Sequence, residues 1–323
     1  MINAISSILV CQHTIQGLET SLAASTMPVC ALHLVQLSDS SPPGIDAFLH
    51  RLFSAAGNPE LFGVVTVSRV QAPIIRPTLV DHSILNNTPW TLLLVIKGSE
   101  AHNLPSTITS SIKTHYSVVS GIPSKIITNY DTISDKLRNV EPPAPLLEIK
   151  LDSNGDVIPP SKSTCSLAPT REDGQDLSLS PALLDLAKRL NHDVKYDGPV
   201  SMLNLLHFHT DEGAVESYHE YGRRFVTVAA KRGGNAKLVG IVVSPLKDGL
   251  RDSRGNQGRK KQDWWNECTL VHYPSINHFI DMSVDDEYQF INKEYRLKAI
   301  KDTALICTIE IDLSKYRGGQ AKL

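Results

Sequence analysis

The sequence predicts an α+β fold of two tandem modules, each with the element order β-α-β-β-α-β. Three observations carry that expectation. Short β-rich stretches alternate in polarity or run continuously apolar, and apolar residues recur at helical spacing between them. The same order of elements comes twice, on either side of a proline-rich stretch. At 323 residues the chain has room for two domains.

Residues 1–27 are weakly patterned and read as a loosely docked arm. Residues 28–140 form the first module. Val29–Leu37 is a strand, and Pro42-Pro43-Gly44 breaks the chain. Ile45–Ala56 reads as a helix with Ile45, Phe48, Leu49, Leu52 and Phe53 on one face. Phe62–Val70 alternates as a strand, and Trp90–Lys97 is a strand of buried type. Leu104–Ser120 reads as a helix because Ile108, Ile112, Tyr116 and Val119 recur at helical spacing, and Lys125–Tyr130 closes the module as a strand. Residues 141–178 carry Pro142, Pro143, Pro145, Pro159, Pro160 and Pro169, and read as an extended linker with Leu146–Leu151 a short edge strand.

Residues 179–323 repeat the order. Ser180-Pro181 starts a helix over Ala182–Leu190. Val200–Phe208 is a strand, Val215–Lys231 a helix ended by Gly233-Gly234, and Leu238–Val243 a strand. Leu246–Gln262 is a polar insert expected to be a mobile loop. Trp265–Tyr273 is a strand, Ser275–Met282 and Asp286–Lys301 are helices, and Leu305–Leu313 is the last strand. Each module thus makes a ferredoxin-like antiparallel sheet with helices on one face. The other face is apolar, so the two sheets are expected to pack face to face.

Composition narrows the function. Hydrophobic residues are 41% and charged residues 20%, with a formal net charge of -2, so no broad positive field invites nucleic acid. The five cysteines are odd in number and widely spaced, which argues against a disulfide framework and fits a reduced, cytoplasmic setting. The first 27 residues make a poor signal peptide, and no apolar run is long enough for a membrane span. There is no GxGxxG turn, Walker loop, HExxH or GxSxG elbow, so NAD, FAD and ATP are not expected, and the expectation is no cofactor and no metal.

Four ordered pieces of the second module resemble an uncharacterised family of the dimeric α/β-barrel, ferredoxin-like superfamily. They are the strand Gly198–Phe208; Tyr218-x-x-Tyr221-Gly222 with Gly233-Gly234; Trp265 with Leu270-Val271-x-Tyr273-Pro274-Ser275; and Met282 with Tyr288, Arg296 and Asp302. The first module shares only the element order. The resemblance implies a fold and a pocket. The wider superfamily includes cofactor-free monooxygenases, isomerases, cyclases and haem proteins, so the reaction stays open.

The pocket of such a module is expected between the sheet and its helices. Alternation puts Met202, Asn204, Leu206 and Phe208 on one strand face, and Leu203, Leu205, His207 and His209 on the other. Asn204 reads either as a brace or as a substrate contact. His207 suits proton transfer at neutral pH, with Glu267 or His272 as a partner across the sheet, depending on register. His207 and His209 with His219 or His272 could ligate a metal, but no recognisable zinc motif is complete. Tyr218 and Tyr221 sit one turn apart with core bodies and hydroxyls that need partners. Trp264 and Trp265 are expected on opposite faces, one walling the pocket and the other at the inter-module interface. Arg296 reads as a clamp for a substrate carboxylate or as the partner of Asp302.

The expectation is therefore a cofactor-independent enzyme that moves a proton on a small carbonyl or phenolic substrate. His207, Tyr218, Glu267 and His272 are the catalytic candidates; Asn204, Tyr221, Trp264, Trp265 and Arg296 are the binding candidates. A non-catalytic ligand-binding protein, or a haem protein with His207, His209 or His272 as axial ligand, are the rivals. The chain is expected to pair its modules internally, with a homodimer as the alternative.

Overall fold

In a computed structural model, the structure describes residues 28–58, 60–144, 150–153, 157–158, 174–243, 252–255 and 258–317. The arm read over residues 1–27, most of the proline-rich linker and part of the polar insert lie outside them.

The first half runs β1 (Val29–Leu37), α1 (Pro42–Ala55), β2 (Gly63–Ile75), α2 (His82–Asn87), β3 (Leu92–Lys97), α3 (Ser106–Thr109), β4 (Ile112–Gly121), α4 (Ser124–Thr128) and α5 (Tyr130–Asn139). Pro42-Pro43-Gly44, read as a break, is instead the first turn of helix α1: the Ser41 hydroxyl accepts from Gly44 N at 3.3 Å, and proline is tolerated where the helix has no N–H partner to lose. Two further expectations are corrected. Leu104–Ser120 is no helix; it is the short α3 followed by strand β4. Its Ile112, Thr114, Tyr116 and Val118 also alternate with period two, and pairing with β1 from Val29↔Gly121 onward decides between the periods. Lys125–Tyr130, read as a strand, is helical because β4 already fills the place of the fourth strand.

The second half follows a two-residue hairpin, β5 (Lys150–Leu151) with β6 (Val157–Ile158). It runs α6 (Pro181–Lys188), β7 (Val200–Phe208), α7 (Ala214–Ala230), β8 (Asn235–Val242), β9 (Glu267–Tyr273), α8 (Ile276–Ser283), α9 (Asp286–Ile291) and β10 (Ile300–Glu310). A π-helical turn, Asn292–Arg296, joins α9 to the last strand. The Ser180 hydroxyl caps α6 through Leu183 N at 3.3 Å, and Gly233 ends the α7 segment at φ 70°. Strand β10 starts five residues earlier than its apolar run suggests, because the polar Asp302 and Thr303 are buried in the sheet.

The strands form one antiparallel closed barrel in the order β1-β3-β2-β10-β7-β9-β8-β4. Within each half the order is the same: β4-β1-β3-β2 and β10-β7-β9-β8. The expected pair of separate sheets, packed only face to face, is corrected at its edges. Strand β2 pairs with β10, as in Val70↔Thr308, and β4 joins β8 through Ser120↔Val242 and Gly121↔Ile241. Closure removes the free edges that two open sheets would leave. At the β4–β8 seam a Cβ on Gly240 would meet Ile122 Cγ1 at 2.9 Å, so glycine permits that close approach.

Alternation along the strands divides the core. Leu32, Leu34, Leu93, Val95, Leu203, Leu205, Leu270 and Ile306 fill the barrel. Outside it, Phe48, Leu49 and Leu52 of α1 cover Ala31, Val35 and Leu92 in the first half. In the second half α6, α8 and α9 cover Met202, Val271 and Leu305. The polar insert is partly built in rather than mobile. Asp252 and Arg254 are buried, and Arg259 grips Asp81 of the first half at 2.7 and 2.9 Å.

Under α1, His33 of β1 is completely buried. Its Nε2 lies 2.8 Å from Ala101 O and its Nδ1 2.8 Å from His115 Nε2. Donation to the carbonyl leaves Nδ1 to accept from His115, so the pair is neutral. Burial, with His115 beside it, pushes the His33 pKa down to about 3. The unfolded chain then binds a proton that the fold refuses. Stability is present above the ordinary histidine pKa and is lost as pH falls from there toward about 3, by up to about 1.4 kcal/mol for each step of one in pH. Melting temperature should fall from pH 6.5 to pH 4.5, and less steeply in His33→Gln. An unchanged slope in that variant would remove His33 as a source.

Candidate functional site

A cavity of about 110 Å³ lies between the outer face of the second-half sheet and helices α7, α8 and α9. The sheet contributes Met202 and Asn204 of β7, Glu267, Thr269 and Val271 of β9, and Leu305 of β10. They share a face because Asn204 lies opposite Thr269 and Met202 opposite Val271, and because Leu206, one pleat on, lies opposite Glu267. Helix α7 adds Tyr218, His219, Tyr221, Gly222 and Phe225, and the α9 segment adds Tyr288 and Arg296. Tyr218, Tyr221 and Phe225 form a row, with ring centroids 5.5 and 5.4 Å apart.

Glu267 is the acidic group of this cavity among the described residues. It is 8% exposed, and burial pushes its pKa from the ordinary carboxyl range up to about 7. Tyr218 lines the same cavity. Burial, then the Glu267 charge, raise the tyrosine pKa, so Tyr218 stays protonated while Arg296 pulls the other way. Burial likewise raises the hydroxyls of Tyr221 and Tyr288, again with Arg296 opposing. Arg296 is buried, and its Nη1 donates to Gln175 O at 3.1 Å and Asn292 Oδ1 at 3.3 Å. Asn204 donates from Nδ2 to Met202 O at 3.2 Å.

The structure brings Asn204, Tyr218, Tyr221, Glu267 and Arg296 together and places the other candidates elsewhere. His207 faces the barrel interior, its Nδ1 2.8 Å from Trp264 O, and burial lowers its pKa. His272 also faces inward, opposite Ser201, and burial followed by the Lys237 charge lowers it to about 4. No dyad joins His207 to either proposed partner, since Glu267 points to the opposite face and His272 is opposite Ser201 on the neighbouring strand. Trp264 and Trp265 both belong to the barrel core. Strand β9 starts only at Glu267, so alternation does not govern the two indoles. Trp265 Nε1 donates to Tyr116 OH at 2.9 Å, and the guanidinium groups of Arg254 and Arg259 lie over the Trp264 ring at 5.2 and 4.9 Å. Asp302 is not the partner of Arg296. Its carboxylate accepts from the backbone N–H groups of Thr78, Leu79 and Val80 at 2.8–2.9 Å.

Among the cavity residues to which the sequence pattern gave no functional role are Tyr288, Thr269 and Leu177. Thr269 was legible as a neighbour of Glu267 on one strand face. Tyr288 reads as packing by its spacing alone, and Leu177 falls in the stretch read as linker. Among the described residues no cluster of three or more His, Cys, Asp and Glu is placed to hold a metal ion, and no helix is long and apolar enough to cross a membrane.

No family model and no curated protein matches this sequence. Solved structures do. A protein of unknown function from Rhodopseudomonas palustris is 28% identical, at a TM-score of 0.27, covering 34% of this chain and 81% of that one. A "putative monooxygenase" from Lactobacillus acidophilus NCFM is 8% identical at a TM-score of 0.40, covering 88% of this chain and 94% of that one. A "putative chlorite dismutase" is 11% identical at a TM-score of 0.37, covering 90% and 98%. These are likenesses of this mixed α+β chain to known structures.

Proposed function

We propose that the second-half cavity is the active site of a cofactor-independent enzyme that moves a proton on a small carbonyl or phenolic substrate. The observation that carries this reading is Glu267, a carboxyl group at about pKa 7 in an aromatic-walled cavity. A group titrating near neutral pH can both take and return a proton, which is the requirement of an isomerisation, cyclisation, dehydration or decarboxylation. Glu267 replaces His207 as the acid/base. Tyr218, protonated and in the same cavity, donates to the oxygen on which charge develops. Arg296 adds a fixed positive charge, and Asn204 and Tyr221 orient the substrate.

The haem reading loses support from geometry. His207 and His272 face the barrel interior and do not line the cavity, nor does His209. Reading the chain as an internal pseudo-dimer, with residues 28–140 as scaffold and residues 179–323 as the site-bearing module, draws support from the shared strand order and from the two seams that close the barrel within one chain.

Solvent deuterium exchange tests the activity. β-Keto acids, enones and phenolic acids should be screened by NMR in D2O with purified protein. At least one class should exchange faster than in buffer. That rate should fall about 10²–10⁴-fold in Glu267→Gln and less in Tyr218→Phe. Exchange no faster than buffer across the panel would overturn the reading.

A further inference from the structure

The cavity is polar at two places and aromatic between them. Thr303, whose hydroxyl lies 3.4 Å from Arg296 Nη2, and Glu267 both stand opposite Leu206, one on each side of it. Their backbones are therefore two strand spacings, about 10 Å, apart. Arg296 is 3% exposed, and its partners are the neutral oxygens of Gln175, Asn292 and Thr303. No carboxylate among the described residues forms an ion pair with it. Asp302, linked to it through Gln175, is already held by three backbone N–H groups. A buried guanidinium without a counter-ion is costly, and a bound carboxylate offsets that cost through paired, charge-assisted hydrogen bonds.

The space between the poles suits one ring. Tyr218, Tyr221, Phe279 and Tyr288 wall it, and its volume is about 110 Å³. That is of the order of the ~150 Å³ that holds benzene in an apolar cavity. The other titratable groups that line the cavity with Glu267 are Tyr218 and His219 from α7, Tyr288 and Arg296 from the α9 segment, and Tyr273 from its own strand. None of these repels an incoming anion.

We propose that this cavity binds a single-ring, planar organic carboxylate, with its charge on Arg296 and its ring among Tyr218, Tyr221 and Tyr288, and that binding draws a proton onto Glu267. The inference rests on reading the cavity as the functional site and adds the class of molecule it takes. A second negative charge in a closed, weakly polar space disfavours ionised Glu267, so ligand and proton enter together.

Calorimetric titration of the whole protein with benzoate and with its neutral isostere benzamide tests this at pH 7 and pH 8, in phosphate and in Tris. Benzoate should bind at least tenfold more tightly than benzamide. Its apparent enthalpy should differ between the buffers by the ionisation heat of proton uptake. Arg296→Gln should cut the preference to less than twofold, Arg296→Lys should keep part of it, and Glu267→Gln should bind benzoate with no buffer dependence. Equal binding of the two probes to the unaltered protein overturns the inference and leaves the cavity as a site. Binding of neither probe overturns both. Benzoate binding with no proton uptake overturns the coupling to Glu267.

Discussion

Glu267→Gln is expected to abolish turnover and, at pH 8, to make the protein harder to unfold. Burial raises the Glu267 pKa to about 7 from an ordinary 4.5. The fold therefore holds a proton that the unfolded chain releases more readily. The stability that this proton contributes is fully present below pH 4.5 and is lost as pH rises through about 7. Above that, the native protein carries a buried carboxylate at a cost of about 3 kcal/mol, because each tenfold loss of acidity corresponds to about 1.4 kcal/mol. Glutamine keeps the shape and removes the charge. The variant should gain little at pH 5 and most at pH 8, where about 3 kcal/mol corresponds to a melting temperature higher by roughly 4–5 °C. Activity lost together with stability gained is the signature of a residue kept for chemistry rather than folding. Thermal melts of both proteins at pH 5 and pH 8 measure it. A variant less stable at pH 8 would mean that the carboxylate has native partners and would end its role as the perturbed acid.

Lys237→Met should have the opposite effect and be the more damaging to folding. Lys237 of β8 is 3% exposed and forms an ion pair with Glu310 at the end of β10. Glu310 also accepts from Ser201 Oγ at 3.0 Å, Tyr130 OH at 3.1 Å and Ser134 Oγ at 3.3 Å. Helix α5 of the first half is thus tied to β7, β8 and β10 of the second through one carboxylate. Burial pushes the Glu310 pKa up, and Lys237 with the Ser201 and Tyr130 hydroxyls more than reverses it, so the group is ionised. Removing the lysine strands a buried anion, which costs about 3–5 kcal/mol. Lys237→Met with Glu310→Gln should recover a good part of that loss, because no charge is then left buried. Denaturant unfolding of the single and double variants completes the cycle. A double variant no more stable than Lys237→Met would show that the hydroxyl contacts, not the charge, carry the seam.

Legibility in the sequence followed the strength of local patterning. Val29–Leu37 and Val200–Phe208 were readable to the residue, because continuous apolar runs bounded by proline, glycine or serine leave few alternatives. Helix α6 announced itself through its Ser-Pro start, whose hydroxyl does cap, whereas the same signal at Ser41-Pro42 reads as a break and puts the helix start three residues late. Residues 104–120 misled because Ile108, Ile112, Tyr116 and Val119 fit a helix while the β-branched alternation fits a strand, and only the partner strand β1 decides. In the site, alternation put Met202 with Asn204 on one strand face, but only the pairing of β7 with β9 sets Glu267 and Thr269 on that same face and away from His207.

By itself, then, the sequence determined which residues could share a strand face and where the helices begin, since both follow from neighbours a few positions apart. Tertiary structure alone decided the rest. It joined the two sheets by their edges into one barrel, turned Trp264, Trp265, His207 and His272 inward, and brought Arg296 and Glu267 to one cavity, with Thr303 and Glu267 on either side of Leu206. These are contacts between residues far apart in the chain, or between strands whose register no local pattern encodes. Register has period two, so one residue of slip would exchange the proton-carrying Glu267 for its lumen-facing neighbours.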